Sequence, residues 1–145
     1  MEINIARIGY IRNAVKEPQK KDWQSVTSEI IINEDLTEAL SGLDEFSHII
    51  VIYWMHRTLP SERSIMKVHP RRDPNLPLIG VFATRSPARP NPFGVATVKL
   101  LERRDNVLKV TGLDAIDGTP VLDIKPHIPG SDSPATARVP EWLNK

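Results

Sequence analysis

The residues best equipped for chemistry in this 145-residue chain lie between Ile79 and Gly94, IGVFATRSPARPNPFG. Pro87, Pro90 and Pro92 crowd this stretch. Each proline fixes its own φ and restricts the residue before it, so the segment has little conformational entropy to lose on folding. It presents two guanidiniums, Arg85 and Arg89, and one amide, Asn91. Forked donors on a stiff loop suit a carboxylate, a phosphate or the edge of a base. A second stretch, GLDAIDGTPVLDIKP from Gly112 to Pro126, places Asp114 and Asp117 around a turn at Gly118, followed by Thr119 and Pro120. Glycine at that turn lets a ligand come close to the main chain. Taken alone, each stretch also reads as ordinary structure, a solvated loop and a well-made hairpin. Taken together, one supplies cations and donors and the other anions and acceptors, a combination complementary to a zwitterion.

Composition narrows the chemistry. There are no cysteines, which removes disulfides, thiolate metal sites and cysteine nucleophiles. No apolar run approaches a membrane span and no signal-peptide pattern opens the chain, so a cytoplasmic protein with no membrane partner is expected. Dinucleotide, P-loop, HExxH and GxSxG signatures are all missing. His48, His56, His69 and His127 show no metal spacing, and Asp114, Asp117 and Asp123 read as turn-makers sooner than as a Mg²⁺ site, so no metal is expected. The net charge is only +1, but between Arg57 and Arg89 seven basic residues face two acidic ones. That concentration suggests a localised anionic partner, with Arg71 and Arg72 among its contacts.

The elements that must carry these residues are short. Strands are expected over Ile3–Ile11, with Gly9 as a bulge, and over Ser25–Ile32. Asp35 to Gly42 reads as a helix: Asp35 caps it, Glu38 completes a capping box, and Gly42 takes the left-handed position at its end. Phe46–Met55 is densely apolar without alternation, which predicts a strand buried on both faces with His48 in the core. His56 and Arg57 stand where that run stops and charge begins, so they are candidate site residues. Strands Val81–Ala83 and Phe93–Glu102 flank the proline-rich loop, and Val107–Leu113 returns after a turn at Arg104–Asn106. Asp117-Gly118 predicts a type I′ turn before a strand at Val121–Ile124. About seven short strands, one helix and no βαβ rhythm give a mostly β fold: a small antiparallel β-barrel with a short packed helix. A single domain over 1–145 is expected, with an irregular tail from about residue 130.

GVFATRSPARPNPFG, followed by GLDAIDGTPVLDIKPHIP, resembles the TsaA-like (TrmO) family of S-adenosylmethionine-dependent tRNA adenosine N6-methyltransferases. IGYIRNAV and GLDEFSHIIVIYWMHRT fit the same pattern, so the resemblance covers nearly residues 1 to 130. It implies a β-barrel that dimerises, binds S-adenosylmethionine and methylates N6 of threonylcarbamoyl-adenosine at position 37 in the tRNA anticodon loop. By resemblance, cofactor contacts fall on Gln19, His56, Arg57, Arg85, Asp117, Gly118, Thr119 and Pro120. Asp117 is the candidate catalytic residue, steadying the cationic end of the cofactor or accepting a hydrogen bond from the substrate N6–H. Arg71, Arg72, Arg89 and Asn91 are the candidate RNA contacts. Two departures stand out: bacterial relatives tend to carry glutamine where Arg57 stands, and they have a further C-terminal region. The alternatives are an S-adenosylmethionine enzyme acting on a small molecule or another RNA, and a non-catalytic module that binds RNA or nucleotides through the basic segment.

Overall fold

The computed structural model describes residues 1–18 and 22–144. The chain divides into two compact units, Met1–Arg57 with Phe93–His127, and Thr58–Pro92 with the residues from Ile128 onward.

The first unit is a closed antiparallel barrel of six strands. In chain order they are β1 (Gly9–Arg12), β2 (Thr27–Ile32), β3 (His48–Trp54), β6 (Phe93–Arg104), β7 (Val107–Thr111) and β8 (Pro120–Pro126). Around the barrel the order is β1-β2-β7-β6-β3-β8. Two very short strands, β4 (Lys67–Val68) and β5 (Ile79–Gly80), pair with each other in the second unit. The expectation of a small antiparallel barrel is met, and closure leaves the six-stranded sheet without a free edge.

Side chains that point inward from each barrel strand fill the middle. Ile11, Ile30, Ile32, Ile49, Val51, Val98, Leu108, Val110 and Val121 are buried there with Leu113. Each such side chain contributes roughly 1.5–3 kcal/mol on burial.

Several local expectations are corrected. β1 starts at Gly9, not Ile3, and Gly9 is no bulge, because it pairs in register with Ile32 and with Val121. A Cβ at Gly9 would lie 2.2 Å from the Ile31 carbonyl oxygen, so the residue is glycine because two backbones touch there. β2 starts at Thr27, since Trp23–Ser25 is a 3₁₀ turn in which the Asp22 side chain accepts the Gln24 N–H. The helix expected at Asp35–Gly42 is a 3₁₀ segment over Glu34–Leu40, entered from Asn33 and without a side-chain cap. Gly42 does take the left-handed conformation, at φ 87°. Leu36, Leu40 and Leu43 face the core while Ala39 is exposed, and the hydrogen bonding is i→i+3.

β3 alternates cleanly, with Ile49, Val51 and Tyr53 buried, and His48, Ile50, Ile52 and Trp54 turned outward. A barrel strand has only one inner face, so the expected two-sided burial does not arise. His48 is accordingly exposed, not a core residue; its Nδ1 meets the Ser47 hydroxyl at 2.8 Å, and its ring lies edge-on to that of His127. Val81–Ala83 is a 3₁₀ turn, not a strand, and β5 stops just before it. β6 runs on to Arg104 through a register shift between Leu100 and Glu102, and β7 ends at Thr111. Beyond β8 come a four-residue helix, α1 (Pro129–Asp132), and a 3₁₀ turn at Glu141–Asn144. No helix among the described residues is long and apolar enough to cross a membrane.

Candidate functional site

The candidate residues fall into one group in each unit, and each group has its own internal logic.

In the barrel unit the Asp117-Gly118 turn is not the type I′ hairpin expected. Gly118 has φ 84°, but Asp117 is not among the residues at positive φ, as type I′ demands. Nor does the turn join two paired strands. It docks on the chain leaving β1: the Asp117 N–H donates to Val15 O (2.7 Å), and the Gly118 N–H to Ile11 O (2.7 Å). The Thr119 N–H closes the turn on Ile116 O, and the Thr119 hydroxyl donates to the same oxygen. All three amide donors of the turn therefore serve the protein itself. The carbonyls of Asp117 and Gly118 accept no bond among the described residues, and the space where a Gly118 Cβ would sit is open to 4 Å.

The Asp117 carboxylate is fully engaged in the same dock. Its Oδ1 accepts the Asn13 N–H (2.9 Å), and its Oδ2 accepts from Lys16 Nζ (2.6 Å). The hydrogen bond from Lys16, then that from the Asn13 backbone, holds its pKa below the ordinary carboxylate value. A carboxylate with a depressed pKa stabilises the fold above its unfolded-state pKa, and that contribution disappears as pH falls through its folded-state value. Thermal melts should therefore show the small advantage of wild type over Lys16→Met, about 2 °C or less, vanishing as the pH drops below the usual carboxylate range. Curves separated equally at all pH values would contradict this.

Asn13, which sequence reasoning passed over, is the hub of the dock. Its side chain donates to Ser28 Oγ (3.0 Å) and Ala115 O (2.8 Å), and accepts from the Val15 N–H (2.9 Å). Nothing in its neighbours marks it out, because its partners lie up to 104 residues away.

At the end of β3, His56 and Arg57 are both exposed. Partial burial, reinforced by the Arg57 charge, lowers the His56 pKa, which favours a neutral imidazole. Arg57 donates one N–H to Glu17 Oε2 (2.7 Å), and its other guanidinium donors have no partner among the described residues. Nearby, Trp54 and Phe93 pack edge to face at 5.5 Å on adjacent strands. Gln19 lies outside the described residues.

In the second unit, the proline-rich loop solves a hydrogen-bonding problem created by its own prolines. Proline has no N–H, so the carbonyls around it find donors elsewhere. Thr58 donates to Pro87 O (3.2 Å), Arg63 Nε to Pro90 O (2.6 Å), and Arg63 also reaches Asn91 Oδ1 (3.2 Å). Serial side-chain turns stiffen the start of the loop, with the Ser86 N–H on Thr84 Oγ1 and the Ala88 N–H on Ser86 Oγ. Arg89 folds back and donates to Val81 O (2.9 Å) and to Thr84 O (3.2 and 3.3 Å). Arg89 and Asn91 are thus occupied in holding the loop, whereas Arg85 is exposed and has no partner among the described residues.

Arg71 and Arg72 also lie in this unit, both exposed and both left-handed, at φ 57° and 56°. Successive non-glycine residues in that region cost roughly 1–2 kcal/mol each. Arg71 donates to Leu143 O (3.3 Å), and Arg72 has no partner among the described residues. Of the three aspartates weighed as metal ligands, Asp114 accepts the Tyr53 hydroxyl (2.8 Å), Asp117 is the dock just described, and Asp123 pairs with Lys125 (3.0 Å).

A family model described as the tRNA-methyltransferase O N-terminal domain matches residues 11–133. A relative from Methanothermobacter thermautotrophicus, named a probable S-adenosyl-L-methionine-binding protein, is 44% identical over 92% of this chain and 96% of its own. A Pseudomonas aeruginosa relative, named a putative S-adenosylmethionine-dependent methyltransferase, is 37% identical over 95% of this chain and 62% of its own. A crystal structure of TrmO from Pseudomonas aeruginosa superposes with a TM-score of 0.78 at 32% identity, covering 98% of this chain. The chain spans 62% of that solved chain. The match embraces both motif-bearing stretches and the whole of the barrel from Ile11, so the chain belongs to the tRNA-methyltransferase O N-terminal domain family.

Proposed function

We propose that this protein binds S-adenosylmethionine and transfers its methyl group to N6 of threonylcarbamoyl-adenosine at tRNA position 37. The observation that carries the reading is the family match over residues 11–133, which takes in the Ile79–Gly94 loop and the Gly112–Pro126 stretch. The names of its relatives from Methanothermobacter and Pseudomonas support the choice of methyl donor.

The donor set fits that molecule. S-adenosylmethionine carries a carboxylate, an ammonium group and the exocyclic amine of adenine. Within the barrel unit, Arg57 has guanidinium donors to spare for an anionic group, and the open carbonyls of Asp117 and Gly118 accept from N–H groups. Within the second unit, the Arg85 guanidinium suits the carboxylate. Cofactor contacts are assigned in this reading to Gln19, His56, Arg57, Arg85 and the Asp117–Pro120 turn. S-adenosylmethionine supplies a sulfonium-activated methyl group, and its transfer breaks one C–S bond, forms one N–C bond and releases the N6 proton. Because the methyl group is already activated, the residues have mainly to hold two reactants in line, which can be worth effective molarities of ~10⁵ M or more. A neutral His56 adds no positive charge near a cationic ligand. For Asp117 to accept the substrate N6–H, one of its oxygens must take a second donor; otherwise it contributes by holding the turn.

A base in a single-stranded tRNA loop can be splayed into a pocket, which is how RNA bases are mainly read. Arg71 and Arg72 are assigned to loop phosphates, with Arg89 and Asn91 shaping the loop beside them, so affinity should fall steeply as salt rises. In this reading the protein works as a cytoplasmic homodimer. The test is transfer of labelled methyl from S-adenosylmethionine to tRNA with and without the threonylcarbamoyl group. Incorporation only into the modified tRNA is expected, and equal or absent incorporation into both would overturn the substrate assignment.

A second reading keeps the methyl donor and changes the acceptor to a small molecule or another RNA. It is favoured by the name of the Methanothermobacter relative, which specifies S-adenosyl-L-methionine binding and no acceptor. Bulk tRNA separates the two: it competes with the acceptor in the first reading and leaves the reaction untouched in the second.

A further inference from the structure

Two neighbours of opposite charge in the barrel unit reach two different candidate site elements. Lys16 Nζ lies 2.6 Å from Asp117 Oδ2, at the turn, and Glu17 Oε2 lies 2.7 Å from an Arg57 guanidinium nitrogen, at the end of β3. Neither residue was singled out by the sequence motifs. Up to Val15, main-chain bonds to Asp117 and Gly118 fix the segment that follows β1. Past Val15, these two ion pairs are its only hydrogen-bonded attachments among the described residues, and Pro18 has no N–H to offer.

We propose that Lys16 and Glu17 are positioning residues for the methyl donor, a two-point clasp that seats this segment on Asp117 and aims the Arg57 guanidinium. The inference rests on the methyl-donor reading of the site.

Arg57 uses one N–H on Glu17 and keeps the others, so the pair orients the guanidinium without consuming it. A long, exposed arginine side chain otherwise samples many rotamers, and a ligand must meet the entropy of fixing it. Glu17 meets part of that cost in advance. Lys16 acts on the other side, because it occupies the Asp117 oxygen that the Asn13 N–H leaves available. Lys16 and Glu17 are themselves largely exposed, at 69% and 71%, while Arg57 is half-exposed and Asp117 more covered, at 26%. Exposed pairs contribute little to stability. Removing them should therefore change the aim of the site and leave the fold intact, which separates positioning from a structural role.

The experiment is calorimetric titration of S-adenosylmethionine at low salt into wild type, Glu17→Gln, Lys16→Met, the double variant and Lys16→Arg. Each single variant is expected to bind about two- to fivefold more weakly, and the double about tenfold, with Tm within about 2 °C of wild type. Lys16→Arg, which keeps the charge, is expected to bind as wild type does. Unchanged or tighter binding by Glu17→Gln and Lys16→Met overturns the clasp, as does a Tm loss large enough to make the residues structural. Failure of wild type itself to bind is a different result: it removes the methyl-donor reading, and the clasp with it.

Discussion

Arg85→Ala is expected to lower methyl transfer by one to two orders of magnitude while leaving the melting temperature unchanged. The two halves of that expectation have separate grounds. Arg85 has no partner among the described residues, so truncating it removes no bond that holds the loop. In the proposed complex it pairs a carboxylate, and a charge-assisted hydrogen bond contributes roughly 1.5–3 kcal/mol, or about 10- to 150-fold. The loop around it is stiffened by Pro87, Pro90 and Pro92 and by the Thr84 and Ser86 turns, so its backbone keeps its shape when the side chain is removed. Steady-state kinetics on modified tRNA, with titration of S-adenosylmethionine, measures both effects. Full retention of activity and affinity would show that this guanidinium has no part in binding. Arg89 is the internal control: its bonds to Val81 O and Thr84 O are structural, so Arg89→Ala should lower Tm as well as activity.

Gly9→Ala is expected to cost about 3 kcal/mol or more, enough to leave much of the protein unfolded or aggregated on expression. The added Cβ would sit 2.2 Å from Ile31 O and 3.0 Å from Ile32 Cα, and neither is a side-chain end that can turn aside. Gly9 also stands at the seam of the barrel, pairing with Ile32 of β2 and with Val121 of β8. Moving β1 away from β2 to make room would press it against β8 and distort that pairing, which has only two register pairs, Gly9 with Val121 and Tyr10 with Pro120. Chemical denaturation of purified protein is the measurement, and a loss below about 1 kcal/mol would mean that the two strands can part without harm to the barrel. A substitution at Gly118, where open space replaces the clash, meets only the cost of its positive φ.

How much of this was legible in the sequence follows the range of the interactions. The barrel strands announced themselves because β-branched runs such as SEIII and HIIVIYW are local signals. The same local signals mislead where a distant backbone decides. Gly9 reads as a bulge until Ile31 is placed against it, and Val81–Ala83 reads as a strand although its Val81 O accepts the Thr84 N–H of a 3₁₀ turn and an Arg89 N–H. Glu34–Leu40 carries the apolar spacing of a helix, but spacing near three to four residues does not distinguish an α-helix from a 3₁₀ segment. At the candidate site, residue types drew attention to Arg85 and to the Asp-Gly turn. Their uses were not legible: that Arg89 and Asn91 hold the loop, and that Asp117 secures the chain after β1, depends on partners from 5 to 104 residues away.

A turn built around a left-handed glycine is commonly a cradle for phosphate, because successive amides converge on one point. The Asp117–Thr119 corner is inverted in that respect, since its amides are all turned toward Val15, Ile11 and Ile116. What it shows outward is oxygen, and oxygen repels a phosphate. A nucleoside triphosphate therefore finds no nest of amides at this corner for its phosphates, and only the Lys16 ammonium to offset the oxygens.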